Sequence, residues 1–127
     1  MLGYVTIGTN NLANAGAFYD KFAAEFGYQR VMENARVIAW GDPATGKLGV
    51  IAAQPADGAP ASVGNGMMVA LAAKDRAQVD KLYSMAREMG CACEGPPGER
   101  FPGFYAAYWR DLEGNKLNAF VMGAAAS

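Results

Sequence analysis

The spacing of apolar and polar positions divides the chain into two segments with the same predicted elements. Residues 12–26 carry apolar side chains at helical intervals, and Gly27 follows as a natural helix stop. Residues 76–89 repeat this spacing, and Gly90 follows them in the same way. The pattern therefore predicts one amphipathic helix in each segment.

Runs of alternating or β-branched apolar residues predict strands around these helices. In the first segment the predicted strands are residues 2–9, 28–33, 35–40 and 48–53. In the second they are residues 67–73, 91–94, 104–110 and 116–121, with a loop at 95–103 and a frayed tail after 122. We predict a single α+β domain of two strand–helix–three-strand modules, residues 1–54 and 67–123, joined by a Pro/Gly-rich linker at 55–66.

The two segments also share residue types in the same order. Trp40 is followed by Gly-Asp and Trp109 by Arg-Asp, and Lys47 and Lys116 each precede a leucine at the same offset. A series of ordered matches of this kind is typical of an internal duplication. The sequence therefore indicates two copies of one βαβββ module.

The stretch from Phe104 to Phe120 is predicted to form a hairpin whose turn is built from Asp-Leu-Glu-Gly-Asn. If Trp109 pairs with Leu117, Tyr108 lies opposite Asn118 and both side chains share one face. The two tryptophans have the opposite parity and are predicted to face the helices. The face shared with Tyr108 extends by period-two alternation to Thr6, Ala70, Phe104, Ala106 and Phe120.

Composition removes several classes of function. The 127 residues include no histidine, which excludes Ser-His-Asp and Cys-His mechanisms and most zinc sites. The net charge of −1 offers no basic footprint for nucleic acid or an anionic membrane. No apolar run reaches the ~20 residues that span a bilayer, and the N-terminus lacks the basic region of a signal peptide. We expect a cytoplasmic protein with no nucleic-acid or membrane partner.

Cys91 and Cys93 form a Cys-x-Cys pair. A metal site would need further Cys or His ligands, and neighbouring thiols on a regular strand do not bridge readily. We interpret both as free thiols, buried or at a sheet edge, in a reducing compartment.

The duplicated module, the Phe18-Tyr19 pair in the first helix and the Asp-x-x-Gly-Asn-Lys-Leu hairpin at 111–117 together resemble the vicinal oxygen chelate superfamily. That superfamily includes glyoxalase I, bleomycin-resistance proteins and extradiol dioxygenases. The resemblance covers residues 1–122. It implies that the two modules form a concave mixed-sheet pocket with helices on the outer face, and that the protein forms a homodimer.

The resemblance also identifies the places where metal-dependent relatives carry their ligands. Those relatives place His in the first strand of each module and Glu in the last strand of the second, and these places match Tyr4, Met68 and Asn118. The fourth place matches Gly49 or Val50. None of these is a good ligand for a divalent cation. We therefore expect no metal and no cofactor.

We predict that the protein is a metal-independent binder of a small apolar or aromatic molecule. Arg100 is a candidate for holding a ligand carboxylate or phosphate, and a solvated loop charge is the alternative interpretation. No catalytic residue is assigned. A glyoxalase-like lyase or dioxygenase with an atypical metal site stays an alternative, as does a non-catalytic interaction module. The predicted ligand-binding residues are Tyr4, Thr6, Met68, Arg100, Phe104, Tyr108, Asn118 and Phe120.

Overall fold

The computed structural model describes all residues, 1–127, and the chain divides into two compact units, Met1–Val63 and Gly64–Ser127. Each unit contains one strand, one helix and three further strands in that order. The α+β class and the repeated βαβββ order predicted from the sequence are confirmed. The boundary between the units falls in the predicted linker, which contains no helix or strand.

The first unit is a four-stranded sheet with one helix. Strand β1 pairs in parallel with β4, and the other pairings are antiparallel in the order β1-β4-β3-β2. Its elements are β1 (Val5–Gly8), α1 (Leu12–Glu25), β2 (Gln29–Glu33), β3 (Val37–Gly41) and β4 (Leu48–Ala53).

The second unit repeats this topology with the strand order β5-β8-β7-β6, in which β5 and β8 are parallel. A short 3-10 helix, Gly123–Ala126, follows the last strand. Its other elements are β5 (Val69–Ala72), α2 (Arg76–Glu88), β6 (Cys93–Phe101), β7 (Phe104–Arg110) and β8 (Lys116–Met122).

Both helices begin and end with the chemistry that their flanking residues supply. The side chains of Asn11 and Asp75 each accept a hydrogen bond from the backbone N–H three residues later, at 3.0 and 2.8 Å. The helices are followed by glycines with positive φ, 72° at Gly27 and 90° at Gly90, which confirms the predicted stops. Neither helix combines the length and apolar character that crossing a bilayer requires.

In the first unit the packing of helix on sheet is fixed by a polar group, the carboxylate of Asp20. It accepts the indole N–H of Trp40 at 2.8 Å and two hydrogen bonds from the Arg30 guanidinium at 2.9 and 3.0 Å. Trp40 is almost fully buried and packs against the Tyr19 ring, 5.7 Å between centroids. Trp40 therefore faces the helix, as its parity predicted.

The corresponding tryptophan of the second unit, Trp109, is fully buried. It shares the α2-facing side of β7 with Tyr105, whose hydroxyl donates to the Asp80 carboxylate of α2 at 2.6 Å. Its predicted orientation toward the helix is also confirmed.

Two local predictions are wrong. Strand β6 does not stop at Glu94 but continues through the predicted loop to Phe101, across Pro96 and Pro97. Proline is tolerated there because β6 is an edge strand with several register shifts, so the missing N–H groups break no regular ladder. The tail is not frayed, because Ala126 is buried and its carbonyl accepts a hydrogen bond from Arg76.

The turn between β7 and β8 is organised by Asp111. Its Oδ1 accepts the backbone N–H groups of Glu113 and Asn115, both at 2.9 Å, and its Oδ2 accepts the Asn115 side-chain amide at 3.0 Å. The side chain is 7% exposed, so these bonds are largely shielded from water. The hairpin pairs Trp109 with Leu117 and Tyr108 with Asn118, the register predicted from the sequence.

Substitution of Asp20 by Asn should lower the free energy of unfolding at pH 7 by about 1 kcal/mol, because it removes a charge-assisted pair. Hydrogen bonds from Arg30 hold the pKa of Asp20 below its ordinary value of 3.8. The carboxylate therefore contributes stability above the ordinary carboxyl range, and this contribution is lost as the pH falls through the lowered pKa. Urea denaturation from pH 7 to pH 3 should show the wild type and Asp20→Asn converging. A difference in unfolding free energy that does not change with pH would contradict this, as would an equal loss of stability in the loop control Asp57→Asn.

Substitution of Asp111 by Ala should lower the free energy of unfolding by about 2 kcal/mol, because several shielded donors lose their acceptor. Asp42 is the matched control, since it holds the corresponding turn of the first unit through one hydrogen bond, from the Ala44 N–H at 2.8 Å. We expect Asp42→Ala to cost roughly 0.5 kcal/mol in the same urea denaturation. Equal losses in the two variants would show that the enclosed turn of the second unit contributes no more to stability than the turn of the first unit.

Candidate functional site

Each strand of the second unit turns alternate side chains toward α2 and away from it. We call the side turned away from α2 the open face. The strand register brings its members together in rows, with Asn118 between Ala70 and Tyr108 and with Phe120 between Ala72 and Ala106. The open face consists of Ala70, Ala72, Phe101, Phe104, Ala106, Tyr108, Arg110, Lys116, Asn118, Phe120 and Met122.

One end of the open face carries three aromatic rings in a stack. Phe101 and Phe104 are nearly parallel, 4.8 Å apart between centroids, and Phe104 and Phe120 are stacked at 5.8 Å. Phe101 is 60% exposed, so the outer end of the stack is open to solvent. Stacked rings of this kind offer a flat apolar surface that suits another aromatic group.

The Tyr108 ring lies further along the same face, with two cations beside it. The Arg100 guanidinium carbon is 5.3 Å from its centroid, and the Lys116 ammonium is 5.6 Å away. Both distances are within the range of a cation–π interaction. The ring is therefore polarised by positive charge on a face that is otherwise apolar.

Asn118 is the polar group at the centre of the face. It lies directly opposite Tyr108 and is 1% exposed. Its Oδ1 is buried and accepts no hydrogen bond. A buried acceptor without a donor costs about 1–3 kcal/mol. Any donor that satisfies this oxygen must be enclosed together with it.

The charges on the open face are unequally compensated. Arg110 is paired with Glu94 at 2.6 Å, and this contact lowers the pKa of the Glu94 carboxyl. Neither Arg100 nor Lys116 has a carboxylate within 4 Å. The face therefore has a net positive charge around Tyr108.

The predicted ligand-binding residues are distributed unevenly. Four lie on the open face, namely Phe104, Tyr108, Asn118 and Phe120, and Arg100 reaches over it from β6. Met68 directly precedes β5 and is 43% exposed. Tyr4 and Thr6 belong to the first unit. Tyr4 directly precedes β1, Thr6 lies within it, and both are exposed. Their predicted role in ligand binding stays a prediction.

Two residues on which the candidate site depends were missed in the sequence analysis. Lys116 precedes Asn118 by two positions in β8, so period-two alternation already placed it beside Tyr108. Phe101 was hidden by the prediction of a loop across 95–103. Its position in the stack follows from the continuation of β6 through a stretch rich in proline and glycine, which carries no strand signal.

The donor atoms at the positions that the family resemblance matches to metal ligands do not fit a divalent cation. Met68 offers a thioether, Asn118 a single neutral amide and Tyr4 a phenol. No group of three or more His, Cys, Asp or Glu side chains lies together anywhere in the described chain. We derive no chemical step through a metal at these positions.

The two thiols lie outside this face and differ from each other. Cys91 precedes β6 and is buried, and burial raises its pKa to about 11. Cys93 begins β6 and is exposed, and a hydrogen bond with the Tyr83 hydroxyl lowers the pKa of its thiol. Both are free, and Cys93 lies opposite Trp109, on the side of the sheet that faces α2.

Known families and structures match nearly the whole chain. The family model described as the glyoxalase/bleomycin resistance protein/dioxygenase superfamily matches residues 1–119. A glyoxalase/bleomycin resistance protein from Albidiferax ferrireducens T118 is 32% identical, with a TM-score of 0.82 over 94% of this chain and 96% of the other. A comparison with curated proteins gives no match.

More distant structures share the fold. A glyoxalase/bleomycin resistance protein/dioxygenase family enzyme from Burkholderia phytofirmans PsJN is 20% identical, with a TM-score of 0.71 over 93% of this chain and 95% of the other. A lactoylglutathione lyase from Agrobacterium tumefaciens is also 20% identical, with a TM-score of 0.66 over 94% and 92%. At this identity the likeness extends to the fold and not to the reaction.

Replacing Asn118 by Val should leave the free energy of unfolding unchanged or raise it by up to about 1 kcal/mol, because the substitution removes an unpaired buried acceptor. Leu117 is the matched control, since it is the preceding residue of β8, equally buried, and faces α2. Leu117→Ala should lower the stability by about 3 kcal/mol in the same urea denaturation. A loss as large in Asn118→Val would show that the amide has an enclosed partner.

Proposed function

We propose that this chain, which belongs to the glyoxalase/bleomycin resistance protein/dioxygenase superfamily, is a metal-independent binder of a small aromatic or apolar molecule. The open face of the second unit is the proposed binding surface. The observation that carries the proposal is the combination of stacked rings, the Tyr108 ring and the unpaired Oδ1 of Asn118 on that face.

The aromatic part of the proposal rests on the ring stack. Successive rings of the stack, Phe101 on Phe104 and Phe104 on Phe120, are parallel to within 14°, so a planar ligand can add to the exposed end without rearranging it. Aromatic pairs contribute roughly 0.5–1.5 kcal/mol beyond the burial of their area. Tyr108 lies beyond Ala106 on the same strand, and Ala106 is fully buried, so the exposed Phe101 ring is the accessible end of the stack.

The polar part rests on Asn118. An enclosed acceptor that lacks a donor is stabilised when a ligand hydroxyl or amide is enclosed with it. A ligand with a flat apolar body and one hydrogen-bond donor matches the face better than a purely hydrocarbon ligand does. This requirement gives the binding surface selectivity as well as affinity.

Independence from metal rests on the chemistry of the side chains. Relatives with this fold include a protein named as a lactoylglutathione lyase and one named as a glyoxalase/bleomycin resistance protein, so the fold alone does not choose between catalysis and binding. The chain contains no histidine, and Met68 and Asn118 occupy places that metal-dependent relatives use for ligands. Binding without a metal is the activity that these side chains support best. A homodimer without nucleic-acid or membrane partners is proposed with it.

The test uses the protein purified without added metal, its metal content by elemental analysis, and titration with the neutral fluorophore phenylnaphthylamine in excess chelator. We expect less than a tenth of an equivalent of metal and saturable binding. Tyr108→Leu should weaken that binding about tenfold, because it removes an aromatic contact. Tyr105→Leu is the matched control, since it removes a tyrosine of the same strand from the α2-facing side.

Stoichiometric metal whose removal abolishes binding would overturn the proposal and favour a lyase or dioxygenase with an atypical metal site. Equal weakening by Tyr108→Leu and Tyr105→Leu, with both variants folded by circular dichroism, would place the binding surface elsewhere.

A further inference from the structure

We propose that the ligand of the open face is an aromatic molecule bearing an anionic group, and that Arg100 and Lys116 bind this group beside the Tyr108 ring. The inference rests on the proposed function, because it names the class of molecule that the same surface takes. The supporting observations are the placement of the two cations, their lack of carboxylate partners and the backbone that holds Arg100 in position.

Arg100 lies across strand β6 because two glycines leave room for it. A Cβ at Gly98 would approach Arg100 Nη1 to 2.8 Å, and a Cβ at Gly95 would approach Arg100 Nη2 to 3.1 Å. Gly95 is opposite Tyr108 in the sheet and has a φ of 159°. The guanidinium therefore lies against the open face, over glycine backbone that carries no side chains.

Three other arginines of the chain are paired with carboxylates, whereas Arg100 is not. Arg30, Arg76 and Arg110 each have a carboxylate oxygen within 4 Å. Arg100 donates to the carbonyl of Pro96 at 2.5 Å and has no such carboxylate. A guanidinium has five N–H donors in a planar fork, so most of its capacity for a carboxylate, sulfonate or phosphate stays available.

Lys116 adds a second positive charge on the other strand of the hairpin. Both cations lie within 6 Å of one ring centroid, at 5.3 and 5.6 Å. The positive potentials of the two cations add around this ring, and the negative face of the ring offsets them only in part. An anionic group beside the Tyr108 ring would be attracted to both cations, while the aromatic part of the ligand reaches the stack on the same face.

The test compares two fluorophores that share the arylamine–naphthalene skeleton, namely anionic anilinonaphthalene sulfonate and neutral phenylnaphthylamine. We expect wild-type protein to bind the anionic probe more tightly, with a Kd that rises with salt. Arg100→Gln and Lys116→Gln should each weaken the anionic probe about tenfold, because a charge-assisted contact is lost, and should leave the neutral probe unchanged.

Two control variants match these substitutions in the first unit. Arg36 also donates to a proline carbonyl, that of Pro55 at 2.6 Å, and Lys47 occupies the place in its module that Lys116 has in the second. Arg36→Gln and Lys47→Gln should leave the affinity for both probes unchanged. Circular dichroism confirms that all four variants are folded.

Each outcome decides a different claim. The anion site would be overturned, with the proposed function left standing, if the neutral probe binds and if Arg100→Gln and Lys116→Gln bind the anionic probe with unaltered affinity. Equal weakening of anionic-probe binding in the control variants would show that the effect comes from net charge alone. This result would also overturn the anion site. Binding of neither probe would overturn the proposed function itself.

Discussion

The arrangement of the second unit depends on the enclosed turn at Asp111. Its carboxylate holds the backbone of Glu113 and Asn115 and so fixes the register of β7 against β8. Successive side chains of a strand point to opposite faces, so a shift by one residue would exchange the faces of a whole strand. The turn therefore decides that Trp109 and Leu117 are buried under α2 and that Tyr108 and Asn118 share the open face.

This division of side chains also explains why the two faces of the second unit's sheet differ in character. The face under α2 is closed by helix packing and carries Trp109, which is fully buried. The open face has no such cover from α2, and it combines the exposed ring of Phe101 with the cations around Tyr108. One polar residue, Asn118, is buried in this surface without a hydrogen bond. A folded domain retains such a cost most readily where a bound molecule offsets it.

Much of this architecture is predictable from the sequence because it rests on local rules. The period of apolar residues, the glycines after each helix and the Asp-x-x-Gly-Asn turn predicted the element order, both tryptophan orientations and the Tyr108–Asn118 pairing. The course of β6 was not predictable, because two prolines suppress the strand signal and only its edge position makes them tolerable. The place of Arg100 was equally hidden, since it depends on space that Gly95 and Gly98 leave in three dimensions. The burial of Ala126 depends on a contact with Arg76, far away in the sequence.

We propose above all that the open face of the second unit binds an aromatic molecule without a metal. The decisive experiment records the amide chemical shifts of isotopically labelled protein during a titration with phenylnaphthylamine in excess chelator. We expect perturbations concentrated on β7 and β8, largest at Tyr108, Asn118 and Phe120, with α1 and α2 little affected. Perturbations that arise only after a divalent metal is added, or that concentrate on the helices, would contradict it.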